Sequence, residues 1–151
     1  MRNGPRAVLS CNQTHHQMEK HLVFVYGTLR SGSQGAISAT FCAAKFIGDA
    51  KVRGSLYDLG KYPGLLLNES NAFVIGEVYE VDDDTLKTLD EFEASSDYWR
   101  QQTDVFIGTN KTECWIYVPK ANPELNPHHR PITSGDWIEY AKTKKEWPGD
   151  S

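Results

Sequence analysis

Cysteine is scarce in this chain and poorly spaced for its usual tasks. Cys11, Cys42 and Cys114 are an odd count in 151 residues, with neither the close pairs of a zinc site nor an even set for a disulfide framework. All three are expected to be reduced thiols of a cytoplasmic protein, with Cys42 and Cys114 packed inside. Long apolar runs are lacking as well. No stretch approaches the roughly 20 apolar residues of a membrane helix, and residues 1–20 hold no apolar segment of signal-peptide length. The glycosylation sequons at Asn12, Asn68 and Asn110 therefore carry little weight. Positive charge is not in excess: the net charge is -4, and no stripe of Lys and Arg alternates with aromatics, which argues against nucleic acid. The lysines at 142, 144 and 145 read as a solvated helix end. Glycine-rich Ser31-Gly32-Ser33-Gln34-Gly35 lacks the Gly-Lys-Ser/Thr ending of a phosphate loop. There is no internal repeat, low-complexity tract or dividing linker.

What is present suffices for one core. The 39% apolar and 24% charged shares are those of an ordinary globular chain. Residues 1–20, polar and containing His15-His16, read as a leader or disordered tail, with Met18 a candidate natural start. Residues 21–145 form a single domain and 146–151 a short tail. Strand patterns run over 22–26, 46–58 in two pieces, 73–81, 98–107 and 112–118. The stretch from Arg53 to Leu65 reads as a strand and tight turn. Helices are expected over 36–45, with Ile37, Phe41 and Ala44 on one face, over 83–93, and over 137–145 after the capping candidates Ser134 and Asp136. Asp82, Asp83 and Asp84 supply a cap and negative charge where the second of these begins. Loops fall at 30–35, 61–64 and 121–135, the last too rich in proline for regular structure. Unequal strands with few helices argue for an α+β fold with a twisted mixed sheet or partial barrel. A doubly wound sheet would need a helix after nearly every strand.

Two features carry chemistry. On a helix advancing about 100° per residue, with Leu86 as zero, Leu89 falls near -60° and Phe92 near -120°, an apolar stripe. Glu93 lands at about -20°, inside that stripe, Asp90 at about 40°, near its edge, and Glu91 on nearly the opposite side. Glu93 is thus the carboxylate turned toward the core or a pocket, where it could serve as general acid or base. The plainer reading is a frayed last helical residue that caps a neighbour or pairs with Arg100. The second feature is Tyr26-Gly27-Thr28-Leu29-Arg30, directly after the apolar run Leu22–Val25. Gly27 lets the backbone turn sharply and come close to a ligand. The N–H groups of Thr28, Leu29 and Arg30 then form a concavity suited to a carboxylate. Arg30 either adds charge there or lies in solvent.

Taken in order along the chain, these pieces resemble the γ-glutamylcyclotransferase-like family. The matching residues are Val25-Tyr26-Gly27-Thr28-Leu29-Arg30, Gly54-Ser55-Leu56-Tyr57, Tyr62-Pro63-Gly64 and Gly76-Glu77-Val78-Tyr79. They continue with Leu89-Asp90-Glu91-Phe92-Glu93, Tyr98-Trp99-Arg100 and Trp115-Ile116-Tyr117-Val118. Ser134-Gly135-Asp136-Trp137 looks like the ending of short bacterial members. The resemblance implies a small mixed β-barrel flanked by short helices. It also implies a loop over 26–30 that binds the α-carboxylate of a γ-glutamyl group, and Glu93 at the family's catalytic position. The implied reaction closes that group to 5-oxoproline and releases an amine or amino acid, with no metal, nucleotide or redox cofactor. Its one implied partner is the small-molecule substrate. Tyr98 and Tyr117 fit the walls of the pocket, though core packing accounts for them equally well.

Two other readings stand beside this one. A non-catalytic module on the same fold would bind a small carboxylate or a partner protein. A nucleophilic hydrolase would use Cys42 or Cys114 with a histidine, but neither cysteine has the surroundings of an activated thiol. Free γ-glutamyl amino acids, glutamylated lysine side chains, γ-glutamylamines and carrier-linked acyl chains share the ring-closing half, and the sequence does not choose among these leaving groups.

Overall fold

The computed structural model describes residues 19–27, 29, 30 and 44–143. The expected leader, Thr28, the glycine-rich loop 31–35, the helix over 36–43, Cys11, Cys42, the lysines at 144 and 145 and the C-terminal tail lie outside the described residues.

Val23, Phe24 and Val25 are all buried, so strand β1 (Lys20–Val25) is apolar on both faces and needs neighbours on both sides. It finds them in β4 (Phe73–Asp82), antiparallel, and β6 (Asn110–Pro119), parallel. β6 pairs along its length with β5 (Tyr98–Ile107) in a hairpin, from Tyr98 opposite Pro119 to Ile107 opposite Asn110. Its tight turn is made by Gly108 (φ 63°) and Thr109. β2 (Lys45–Asp58) pairs with β4 on one side and meets β5 at Lys51 and Phe106 on the other. That last contact closes β2-β4-β1-β6-β5 into a five-stranded mixed barrel, as the resemblance implied. β3 (Pro63–Leu67) and the two-residue β7 (Arg130–Pro131) attach to the outer part of β2.

Alternation fills the barrel. Ala50, Val52 and Leu56 of β2 point inward and meet Phe24, Val74, Val105 and Ile116 in one cluster, with Trp137 of helix α2 (Trp137–Thr143) packed among them. A second cluster lies between the barrel wall and helix α1 (Asp83–Ala94), where Leu86 and Leu89 meet Val23, Val25, Tyr98 and Tyr117. A large apolar side chain at position 89, fully buried, fixes how the helix sits on the wall.

Several expectations change. The stretch 46–58 belongs to one strand of 14 residues, Lys45–Asp58, with an irregularity between Phe46 and Gly48. Gly54 does not break it, because a Cβ there would lie 2.7 Å from the Leu66 carbonyl oxygen, so the glycine serves close strand pairing. Pro63 and Gly64 open β3 instead of remaining in a loop. Lys45 begins a strand and does not end a helix. The 121–135 segment is mostly irregular as expected, but holds a 3-10 turn at Pro123–Leu125 and the short β7. Phe92 is 57% exposed, so the buried stripe of α1 is centred on Leu86 and Leu89.

Candidate active site

α1 begins where the sequence placed it. The Asp82 carboxylate accepts the Thr85 N–H at 2.8 Å, and Asp83 and Asp84 fill the first turn, where negative charge complements the helix dipole. At the other end the Ser96 and Asp97 N–H groups bond back to the Glu93 and Ala94 carbonyls. Asp97, at φ 65°, then turns the chain into β5. Aspartate tolerates this left-handed region better than most residues.

Glu93, in that last turn, lines a cavity of about 70 Å³ together with Tyr26, Gly27, Leu29, Pro63, Tyr98 and Tyr117. Phe92, Tyr62 and Ser96 also border it, and the rings of Phe92 and Tyr62 are about half exposed. A water occupies roughly 10–15 Å³ by this measure, so the space accepts a handful of waters or a small organic group.

Three tyrosine hydroxyl protons in the wall are already committed. Tyr26 Oη donates to the Tyr117 carbonyl at 2.7 Å, Tyr98 Oη to the Pro63 carbonyl at 2.5 Å, and Tyr117 Oη to Asp90 Oδ1 at 2.7 Å. Arg100 places Nε 3.5 Å from that same Asp90 oxygen and stacks its guanidinium 4.1 Å from the Trp115 ring centre. Positive charge therefore reaches Asp90, not Glu93. Burial, uncompensated, pushes the Glu93 carboxyl up from 4.5 to about 7. Burial also raises Tyr26, Tyr98 and Tyr117, and the Glu93 charge adds to the rise in each.

The turn after β1 is closed by the Arg30 N–H donating to the Gly27 carbonyl at 3.0 Å, so that N–H is used within the turn, while Leu29 stays on the cavity wall. Gly27 is required for a reason the sequence did not suggest. A Cβ there would lie 2.6 Å from Pro63 Cγ; the close approach is to a proline of the same chain. The structure does not bring the Arg30 side chain to the cavity, nor leave it in solvent. Nη1 lies 2.9 Å from Asp136 Oδ1 and Nε 3.6 Å from Glu77 Oε2. Glu77 is buried and also accepts from Tyr79 Oη at 3.0 Å.

Of the expected site residues, then, Glu93, Tyr26, Gly27, Leu29, Tyr98 and Tyr117 come together, Arg30 braces the turn from behind, and Thr28 is outside the described residues. Sequence reasoning missed Pro63, Phe92 and Ser96 as wall residues and Asp90 as the acceptor for Tyr117. Tyr62-Pro63-Gly64 was in view as a motif, which was the available signal for Pro63. Among the described residues one group, Glu19, His21 and Asp83, could offer three metal ligands. His21 and Asp83 are already hydrogen-bonded to each other, and none of the three lines the cavity.

A family model described as "Gamma-glutamyl cyclotransferase, AIG2-like" matches residues 23–139. A Vibrio cholerae protein with the provisional name gamma-glutamylcyclotransferase is 40% identical over 121 residues, 80% of this chain and 97% of that one. The gamma-L-glutamyl-butirosin B gamma-glutamyl cyclotransferase of Niallia circulans is 48% identical over 75 residues, 47% of this chain and 44% of its own. Among solved structures, YkqA from Bacillus subtilis superposes with a TM-score of 0.67 at 29% identity, covering 83% of this chain and 44% of that one. Among the described residues no helix is long and apolar enough to cross a membrane.

Proposed function

Because the chain belongs to the gamma-glutamyl cyclotransferase, AIG2-like family and is an enzyme of cyclotransferase type, we propose that it closes a γ-glutamyl group to 5-oxoproline with Glu93 as the general acid–base. One observation carries this reading. Glu93 sits in a partly open cavity beside the Gly27 turn, its carboxyl raised to about 7 by burial. A proton carrier works best when its pKa lies near the working pH.

In the proposed course the substrate's α-carboxylate rests against the backbone N–H groups of the 27–29 turn, and its γ-carbonyl faces Glu93. The α-amino group arrives as an ammonium. Glu93 takes one of its protons, and the freed nitrogen attacks the carbonyl carbon of the γ-amide, forming the lactam C–N bond. The original amide C–N bond then breaks. The attacking nitrogen gives up two protons in all and the departing one gains two. Glu93 carries one of these to the leaving nitrogen, and the other exchanges with water. Both reacting groups belong to one molecule, so folding the substrate into the reactive conformer supplies much of the acceleration. Tyr26, Tyr98 and Tyr117, with their hydroxyls tied to the protein, act as shaped walls.

The test is release of 5-oxoproline and free amine from a panel of γ-glutamyl compounds, followed by mass spectrometry. Glu93→Gln should retain the fold and lose at least about a hundredfold in rate, the usual contribution of a positioned proton carrier. The rate of the native enzyme, as kcat/KM, should rise with pH through about 7 as Glu93 ionises. Equal turnover by Glu93→Gln would remove it as the base. Binding of the whole panel without turnover would leave a carboxylate-binding module.

A further inference from the structure

Tyr26, Tyr98 and Tyr117 share the cavity with Glu93. Each hydroxyl has a single proton, and each gives it to a group that can only accept. For Tyr26 and Tyr98 that group is a backbone carbonyl, of Tyr117 and Pro63, which no side-chain substitution removes. For Tyr117 it is the carboxylate of Asp90, a residue outside the cavity lining. We propose that Asp90 is a positioning residue for the reaction: by taking the Tyr117 hydroxyl proton, it keeps that hydroxyl from donating to Glu93 and preserves the glutamate as a base. The inference rests on Glu93 as the proton carrier of ring closure and adds the residue that governs it.

The geometry is local to one turn of helix. Asp90 and Glu93 stand three residues apart on α1, a spacing that makes them neighbours on the helix surface. Tyr117, from β6, packs against the same helix beside Leu86 and Leu89. Its Oη lies 2.7 Å from Asp90 Oδ1 and 3.5 Å from the Leu86 carbonyl oxygen, and the nearer, charged acceptor makes the stronger bond. From the other side Arg100 Nε lies 3.5 Å from that Asp90 oxygen, its guanidinium stacked on Trp115. The carboxylate is thus held between the tyrosine and the arginine.

The other groups around Glu93 offer no substitute for this control. Tyr26 comes from β1 and Tyr98 from β5, both with their protons on the main chain. Tyr62, ahead of β3, stands half-exposed at the mouth. Among the described residues no Lys, Arg or His lines the cavity, and Glu93 is its one acid. The Glu93 charge pushes Tyr26, Tyr98 and Tyr117 upward alike, which places all three phenols near its carboxyl. A hydrogen bond donated to a carboxylate favours its charged form and lowers its pKa. A base so weakened takes the substrate's ammonium proton less readily. Without Asp90, the Tyr117 proton would have Glu93 as the remaining carboxylate within the same wall.

Glutamate labelled with carbon-13 at Cδ lets the Glu93 carboxyl be titrated by NMR in the full chain, its signal identified by its loss in Glu93→Gln. The native midpoint is expected at about 7. Asp90→Leu offers no acceptor, and should lower the midpoint by about one pH unit, the scale of a hydrogen bond to a charged group. Asp90→Ala, which removes the acceptor without adding bulk, should move it in the same direction. The rising limb of kcat/KM for 5-oxoproline release should follow. Adding Tyr117→Phe to either variant should return the midpoint to its native value, because no hydroxyl is left to donate. A midpoint unmoved in both single variants would overturn the inference. So would a midpoint that stays low in the double variants, since the lost Asp90 charge and the freed Arg100 would then account for the shift. Absence of 5-oxoproline from the native protein across the γ-glutamyl panel would bring down the ring-closing reading and Asp90's part in it, whatever the titrations show.

Discussion

Replacing Glu93 by glutamine should make the protein more stable at alkaline pH, although it removes the group on which turnover is expected to depend. The reasoning runs through proton linkage. The Glu93 carboxyl is raised from 4.5 to about 7 in the folded chain, so between those values the folded state holds a proton that the unfolded state has lost. Stability then falls as pH rises through that window. Below about pH 4.5 the neutral acid costs nothing beyond its burial, and above about pH 7 the full cost of an ionised carboxylate in the cavity is present. At 1.36 kcal/mol per pH unit, the difference amounts to about 3 kcal/mol. Glutamine has nearly the same shape and never ionises. Urea unfolding of the native protein and Glu93→Gln at pH 4.5 and pH 8.5 measures the effect. The two should be close at the lower pH, and the variant more stable at the higher by about 3 kcal/mol, roughly 10 °C in melting temperature. A variant equally stable or less stable at pH 8.5 would show that the carboxylate is solvated, and would take away the electrostatic basis for its role.

Two further substitutions probe the frame that holds the site. Gly27→Ala sets a methyl against Pro63 Cγ, 2.6 Å away, and should cost about 1–3 kcal/mol of stability with a raised KM. Pro63→Ala in the same molecule should restore part of both in a double-mutant cycle, and strict additivity would refute the contact. Arg30→Met removes the guanidinium that lies beside both the buried Glu77 and Asp136; a loss of about 3 kcal/mol in urea unfolding is expected. A loss well under 1 kcal/mol would mean the pair is screened by water.

The barrel strands and the catalytic helix were legible because each carries its own signal. β5 lies at the limits expected for it, 98–107, and α1 was marked by three consecutive aspartates at its start. The chain of contacts that closes the barrel was not legible, since the β2–β5 contact rests on a single pair, Lys51 and Phe106. β3 was hidden because proline and glycine at its start are ordinarily turn residues. The site shows the same division. Helical geometry alone turned Glu93 inward while leaving Asp90 at the edge of the stripe, where its bond to Tyr117 could not be foreseen. The partner of Arg30 lies 106 residues away at Asp136, and no local pattern encodes a pairing at that range. The single cause of the Glu93 shift, burial without a compensating donor, is a property of three tyrosines that spend their protons elsewhere.

The β5–β6 hairpin runs from the cavity wall at Tyr98 to the turn at Gly108 and Thr109. Ten residues of strand at about 3.3 Å each put that turn roughly 30 Å from the chemistry. A foreign segment spliced between residues 108 and 109, whether a fluorophore-binding peptide or an affinity handle, would hang from the far rim of the barrel. The enzyme thus offers a place to be labelled or immobilised with its mouth facing outward.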